Sequence, residues 1–190
     1  MVDIGFIKDI KYFISLMPPV RQSLFFSATI SGKVKEILQD FVKNPITVSV
    51  KKQETAENIE QDIIRIERGN TKLNILNNLL SREEFNKVLI FGRTKHGVEK
   101  LSKILYSNGF KVDSIHGNKN HAQRQKALGL FKENRIQVLV ATDVAARGLD
   151  IADISHVINY DLPATYDDYI HRIGRTGRWN KQGMALTFID

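Results

Sequence analysis

A chain of 190 residues, 42% hydrophobic and 26% charged, has the make-up of a globular protein with a substantial core: one ordinary domain, or one domain plus part of another. The absence of cysteine excludes disulfides and thiolate metal sites and fits a reducing compartment, while a net charge of +7 and a pI near 9.6 point to an anionic partner, most commonly nucleic acid. Apolar runs such as VLIF at 88–91 are too short to span a bilayer, and no apolar stretch opens the chain as a secretory signal would. The sequence reads as a soluble cytoplasmic protein with no membrane partner.

In chain order, Ile7, Ile10, Phe13, Ile14 and Met17 follow a helical period over 4–17, and Pro18-Pro19 stops that helix. SLFFSAT (23–29) predicts a short buried strand. Ser31 suits the N-cap of a helix carrying Val34, Ile37, Leu38, Phe41 and Val42, which Asn44-Pro45 ends, and ITVSV (46–50) predicts another strand. Two strands and two helices in fifty residues are marginal for independent folding, so this piece reads as the end of a domain. The polar stretch 51–58 is the expected linker. Beyond it, strands are predicted at 59–66, 87–91, 111–115, 136–142, 156–160 and 184–189. Helical periods lie between them, marked by Leu73, Leu76, Leu79 and Leu80, by Val98, Leu101, Ile104 and Leu105, and by Leu128 and Phe131. Thr165 and Asp168 suit a capping box for a last helix. Such alternation predicts an α/β fold, mainly a parallel sheet with helices on both faces.

Polar loops follow three of these strands: Gly92-Arg93-Thr94, His116-Gly117-Asn118 and Thr142-Asp143. Ligands of open α/β sheets bind outside the carboxyl ends of the strands, so these loops are expected to share one rim. Singly, each is also an ordinary turn. TDVAARGLD (142–150) is the most informative loop, with small residues around Arg147 and Asp150. Asp150 suits a hydrogen bond from a ribose hydroxyl, and equally a turn cap or a pair with a neighbouring arginine. Near the carboxyl end, HRIGRTGR (171–178) repeats arginine at every third position, Arg172, Arg175 and Arg178, with Gly174 and Gly177 between them. Guanidinium forks gathered in this way suit phosphate oxygens; a solvated basic helix end is the plainer alternative.

Together these stretches resemble the DEAD-box RNA helicases, over almost the whole chain. SAT (27–29) is similar to the coupling motif of that family's first RecA-like domain; FGRT (91–94), ARGLD (146–150), NYDLP (159–163) and HRIGRTGR are similar to motifs of the second. RTKHG (93–97) and IHGNK (115–119) resemble the bacterial RhlE-type branch. The resemblance implies a RecA-like fold with residues 1–50 as the C-terminal remnant of a first (DEAD) domain, 51–58 as linker and 59–190 as the second domain. It also implies roles. Arg175 and Arg178 would be arginine fingers at the γ-phosphate of ATP, a contribution of roughly 10³–10⁵ in rate. Gly148 and Asp150 would contact the nucleotide, on its ribose side. Thr94, Gly117, Arg124 and Thr142 would hold an RNA backbone, with little sequence preference. His171 and Arg172 would tie the closed interface together, and Ser27 and Thr29 would couple ATP state to RNA.

The sequence departs from the family pattern at His121, where glutamine is usual before the retained Arg124, and at Trp179-Asn180, where a small residue and glycine are usual. No G-x-x-x-x-G-K-[ST] phosphate loop and no Asp-Glu-Ala-Asp occur. MVDIGF (1–6) is similar to the segment just after that acidic motif. The expectation is therefore a monomeric, carboxy-terminal portion of an ATP-dependent RNA helicase. Its partners are RNA and the missing first RecA-like domain, which would hold the phosphates of ATP and Mg²⁺, and the portion is expected to be inactive alone. The rival readings are a stand-alone RNA-binding or adaptor module without ATPase activity, and a nucleotide-binding regulatory domain.

Overall fold

The structure is a computed structural model and describes residues 7–26, 38–39, 41–42, 44–48, 58–149, 151–177 and 181–189. The chain divides into two compact units, Met1–Lys51 and Lys52–Asp190.

In the first unit, helix α1 (Ile7–Ser15) follows the expected period, and the chain turns at Leu16–Met17 before the two prolines. The strand expected over 23–29 is not formed in its described part: residues 21–26 have no regular structure, and Phe26 is 92% exposed. The strand expected over 46–50 is likewise absent from 46–48, where Ile46 and Val48 lie open to solvent. A strand is stabilised by cross-strand neighbours, and this unit offers no second strand among its described residues. Helical structure is present at 38–39 and 41; the remainder of that expected helix lies outside the described residues, as do Ser27 and Thr29.

The second unit is built as the alternation predicts. Strands β1 (Ile59–Arg65), β2 (Val88–Phe91), β3 (Val112–Ile115), β4 (Val138–Ala141), β5 (His156–Asn159) and β6 (Gly183–Ile189) form one sheet in the order β1-β6-β5-β2-β4-β3, with every pairing parallel. Strands β2, β4 and β5, inside the sheet, are fully buried along their length, as strands covered on both faces must be, while the edge strand β3 carries Asp113 and is only half-buried at its start. Side chains of β2 alternate between two cores. Val88 and Ile90 pack with α2 (Lys72–Leu80) and α3 (Lys95–Ser107), through Leu76, Leu80, Val98 and Leu105. Leu89 and Phe91 pack on the opposite face with α4 (His121–Lys132), through Ala127 and Phe131, and with the one-turn helix α5 (Asp143–Ala146). Helix α6 (Tyr166–Ile173) covers the β1 and β6 side of that second face through Ile173 and Ala185.

Capping fixes where helices leave the strands. Thr71, Thr94 and Thr165 each accept an amide hydrogen bond three residues on, to Asn74, Gly97 and Asp168. The reciprocal capping box is found at Asn120 and Gln123 on α4, where each side chain bonds the other's backbone N–H. At α6 only half of the expected box forms. The Asp168 carboxylate accepts from the Thr165 hydroxyl and pairs with Arg147, so it is turned away from the Thr165 amide.

The segment after α6 lies tight against the sheet. Gly177 has φ +66°, and a Cβ there would sit 2.6 Å from Ile59 Cγ1. A Cβ on Gly183 would overlap Thr176 Oγ1 and the Gly177 amide. Thr176 is buried and donates its hydroxyl to the Ile154 carbonyl. Close approach at two glycines, together with the Thr176 hydroxyl bond, therefore holds this arginine-bearing segment down. Gly183→Ala is expected to destabilise the protein by about 1–3 kcal/mol through overpacking, measured by urea unfolding. A change below a few tenths of that range would show that the contact is not tight.

Candidate functional site

Because all six strands run parallel, the loops after β2, β3, β4 and β5 emerge on one edge of the sheet. Thr94 follows β2 and caps α3; Gly117 follows β3; Thr142 follows β4 and stands at the N-cap of α5 without using its hydroxyl for the cap. Arg124, in the first turns of α4, is half-buried and makes no side-chain hydrogen bond or ion pair among the described residues. Gly117 is exposed, has an ordinary backbone conformation, and has open space where a Cβ would stand. The fold does not itself require glycine at that position.

One side chain ties this edge together. Arg172 on α6 is 2% exposed. Its Nε and Nη2 donate to the two carboxylate oxygens of Asp143 at 2.6 and 2.8 Å, and Nη1 donates to Asn159 Oδ1 at 3.1 Å and to the Asp161 carbonyl at 2.7 Å. The guanidinium carbon lies 5.1 Å from the centre of the Phe91 ring. Arg172 thus joins the carboxyl ends of β2, β4 and β5. The resemblance implies an interdomain contact for it; within the second unit its fork is engaged by these four bonds. Asp161 extends the network, its carboxylate accepting the Arg93 amide at 2.8 Å, next to Thr94.

The outer side of α6 faces a notch of about 10 Å³, lined by Asp143, Arg147, Asp168, His171, Arg172 and Arg175 among others. Arg175 is half-buried, with Nη1 on the Leu149 carbonyl at 2.7 Å and Nε on the His171 carbonyl at 3.1 Å. Arg147 pairs with Asp168 at 3.2 Å. Gly148, between Arg147 and Leu149, has φ +74°, a conformation that favours glycine. His171 is half-buried beside Arg172. The structure therefore brings His171 and Arg175 to one notch, with Gly148 next in the chain to its lining residue Arg147, and Thr94, Gly117 and Thr142 to one edge. Asp150 and Arg178 lie outside the described residues.

A cluster the sequence reading did not single out lies under the loop after β3. Glu99 of α3 accepts from Ser114 Oγ at 2.9 Å and from His116 Nε2 at 3.1 Å, with Lys103 at 3.4 Å. The His116 and Ser114 hydrogen bonds, aided by Lys119 and Lys103 and opposed by partial burial, hold the Glu99 carboxyl down to about 2. His116 and Ser114 are buried. The available signal was the one-residue gap between Ser114 and His116, which puts both on one face of the strand end.

The comparisons with known proteins agree with this fold. Residues 71–180 match the family described as helicase conserved C-terminal domain. The Escherichia coli DEAD-box protein SrmB, in a crystal structure with regulator of ribonuclease activity A, is 38% identical with a TM-score of 0.66, covering 70% of this chain and 78% of that one. The chain belongs to the helicase C-terminal domains of DEAD-box proteins. Saccharomyces cerevisiae Dbp5 bound to RNA and ADP BeF3 is 33% identical to this helicase domain with a TM-score of 0.80, over 95% of this chain and 47% of Dbp5. The ATP-dependent RNA helicase CshA of Listeria monocytogenes and the DEAD-box ATP-dependent RNA helicase CshA of Bacillus subtilis are 44% and 45% identical to it over the whole chain. The chain spans 36% and 38% of their respective lengths.

Two outcomes follow for this helicase domain. Removing the carboxylate with Asp143→Ala leaves the Arg172 charge buried without its ionic partner, so a loss of roughly 3–5 kcal/mol in urea unfolding is expected; a loss under 1 kcal/mol would show the pair to be dispensable. For Glu99, the folded-state value lies below the unfolded one near 4.5, so its contribution is present above that pH and is lost as pH falls toward 2. Glu99→Gln should accordingly flatten the stability profile between about pH 4.5 and 2, relative to wild type, in acid titrations followed by circular dichroism.

Proposed function

We propose that this chain is the RNA-facing and phosphate-facing portion of a cytoplasmic, monomeric ATP-dependent RNA helicase, in which ATP hydrolysis drives cleft closure and local strand separation. The observation that carries this reading is the joining of two surfaces by one buried side chain. Arg172 fixes the edge with Thr94 and Thr142, and its own helix leads directly to Arg175.

On the edge, Thr94, Gly117, Arg124 and Thr142 would hold an RNA sugar-phosphate backbone. Three features support this: a hydroxyl unused by its own helix cap at Thr142, an arginine without a side-chain partner among the described residues, and a glycine the fold does not demand. Contacts of this type read backbone rather than base edges and carry little sequence preference. On the notch side, Arg175 stands with Arg147 and His171, beside the carboxylates of Asp143 and Asp168, and Gly148 keeps the adjacent backbone approachable. A notch of about 10 Å³ cannot enclose a nucleotide, so it suits one side of a shared site. ATP would supply the transferable phosphoryl group. Arg175 and Arg178 would orient it and neutralise charge on its oxygens, and Gly148 and Asp150 would meet the ribose side. The phosphate cradle and the Mg²⁺ ligands fall, in this reading, to a first RecA-like domain of which residues 1–50 are the C-terminal part. Residues 51–58 are the linker, and Ser27, Thr29 and His171 take part in coupling across the cleft. The finer RhlE-type placement rests on RTKHG and IHGNK alone, against relatives named CshA.

The test uses the purified chain. Fluorescence anisotropy with single-stranded RNA should show affinity that falls steeply with salt, varies little with base composition, and weakens for Arg124→Ala with a salt slope lower by about one. ATP hydrolysis with RNA present should stay at background. Unchanged RNA affinity in both Arg124→Ala and Thr142→Ala, or robust RNA-stimulated turnover abolished by Arg175→Ala, would overturn the proposal.

A further inference from the structure

The loop from His116 to Asn120 is a turn of unusual internal support. The Lys119 amide bonds the His116 carbonyl at 3.1 Å, and the Asn118 amide bonds His116 Nδ1 at 3.3 Å. The ring itself is buried, 4% exposed, while Gly117 and Asn118 at the tip are exposed. On its other side, Nε2 meets the Glu99 carboxylate at 3.1 Å, and that carboxylate also accepts from Ser114. Because Nδ1 receives an N–H and Nε2 faces an anionic oxygen, the bonding pattern places the proton on Nε2.

We infer that His116 is a positioning residue for RNA binding: its Nδ1, oriented by Glu99 through Nε2, holds the Asn118 amide and so sets the shape of the Gly117–Asn118 tip that meets the RNA backbone. This rests on the RNA-facing role proposed above for Gly117. Three observations carry it. The tip contributes no packing of its own, since a Cβ on Gly117 would touch nothing, so its shape depends on hydrogen bonds. The orienting carboxylate comes from α3, whose cap is Thr94, so one buried ring connects the loop after β3 to the helix that starts at the loop after β2. Beyond the turn, the same loop runs directly into the Asn120–Gln123 box that starts α4, the helix of Arg124. An error in the turn would be passed on to two of the proposed backbone contacts.

Two substitutions separate this role from space filling. His116→Asn presents an acceptor oxygen near the position of Nδ1 and drops the contact to Glu99. His116→Gln presents a donor near the position of Nε2 and drops the acceptor for Asn118. Both remove the ring, so a merely structural role moves them together. Each variant of the purified chain is measured by anisotropy with a single-stranded oligouridine and by hydrogen exchange at the Asn118 amide. His116→Gln is expected to weaken RNA binding about three- to tenfold and to speed Asn118 exchange by a similar factor, while His116→Asn stays within about twofold of wild type in both. Equal losses in the two variants, or faster Asn118 exchange in His116→Gln without any loss of RNA affinity, would overturn the inference. If wild-type chain fails to bind RNA, the proposed function fails and the RNA role of His116 with it, and the exchange pattern then shows separately whether His116 holds the Asn118 amide.

Discussion

The carboxyl ends of β2, β4 and β5 depend on a buried arginine that meets its own bonding requirements inside the sheet. A guanidinium carries its charge at all relevant pH values, and burying it without partners would be prohibitive. Arg172 resolves this with four hydrogen bonds from three of its nitrogens, two to the Asp143 carboxylate, and with an aromatic face at Phe91. Such an arrangement is weak evidence for net stability, since desolvation cancels much of the attraction. Its consequence is geometric. The fork can be satisfied in one arrangement of the ends of β2, β4 and β5, so those ends are fixed relative to α6.

That fixation relates the two proposed surfaces through one chain of hydrogen bonds. From Arg172, one route passes through Asp143 to the adjacent Thr142, and another through Asp161 and the Arg93 amide to Thr94. In the other direction, the helix ends and Arg175 follows three residues on, with its guanidinium held by the Leu149 and His171 carbonyls. Two carbonyl bonds fix this long side chain, so part of its ordering cost is met within the fold itself.

The second unit was legible in the sequence because its strands are short apolar runs separated by helices with clean periods. Both signals follow from a sheet covered on two faces, and all six strands were placed within a residue or two. The expected strands in the first unit failed for the complementary reason. SLFFSAT and ITVSV have the right composition, yet composition supplies no neighbour to pair with, and Phe26, Ile46 and Val48 stand in solvent. Local pattern proposes a strand and tertiary context decides it. The same holds for the cap of α6. Thr165 and Asp168 have the spacing of a box, but Arg147, eighteen positions before Thr165, draws the Asp168 carboxylate away.

The site was legible in part, and the division has a physical basis. Residues singled out in the motifs after β2, β3 and β4, namely Thr94, Gly117 and Thr142, fall where parallel strands must place them, since every carboxyl end opens on one edge. Residues that hold others within the unit were not legible as such. The resemblance gave Arg172 an interdomain role and said nothing of its bonds inside the sheet, and Glu99 and Ser114 were unremarked because neither belongs to a loop. Their partners are supplied by elements far apart in sequence: Glu99 reaches across fifteen to seventeen positions, and Arg172 across eleven to twenty-nine. A supporting residue has no fixed spacing from what it supports, so one-dimensional pattern cannot reveal it. The burial of a charged or titratable side chain does reveal it, and at the carboxyl ends of the strands that criterion selects Arg172 on one side and His116 on the other.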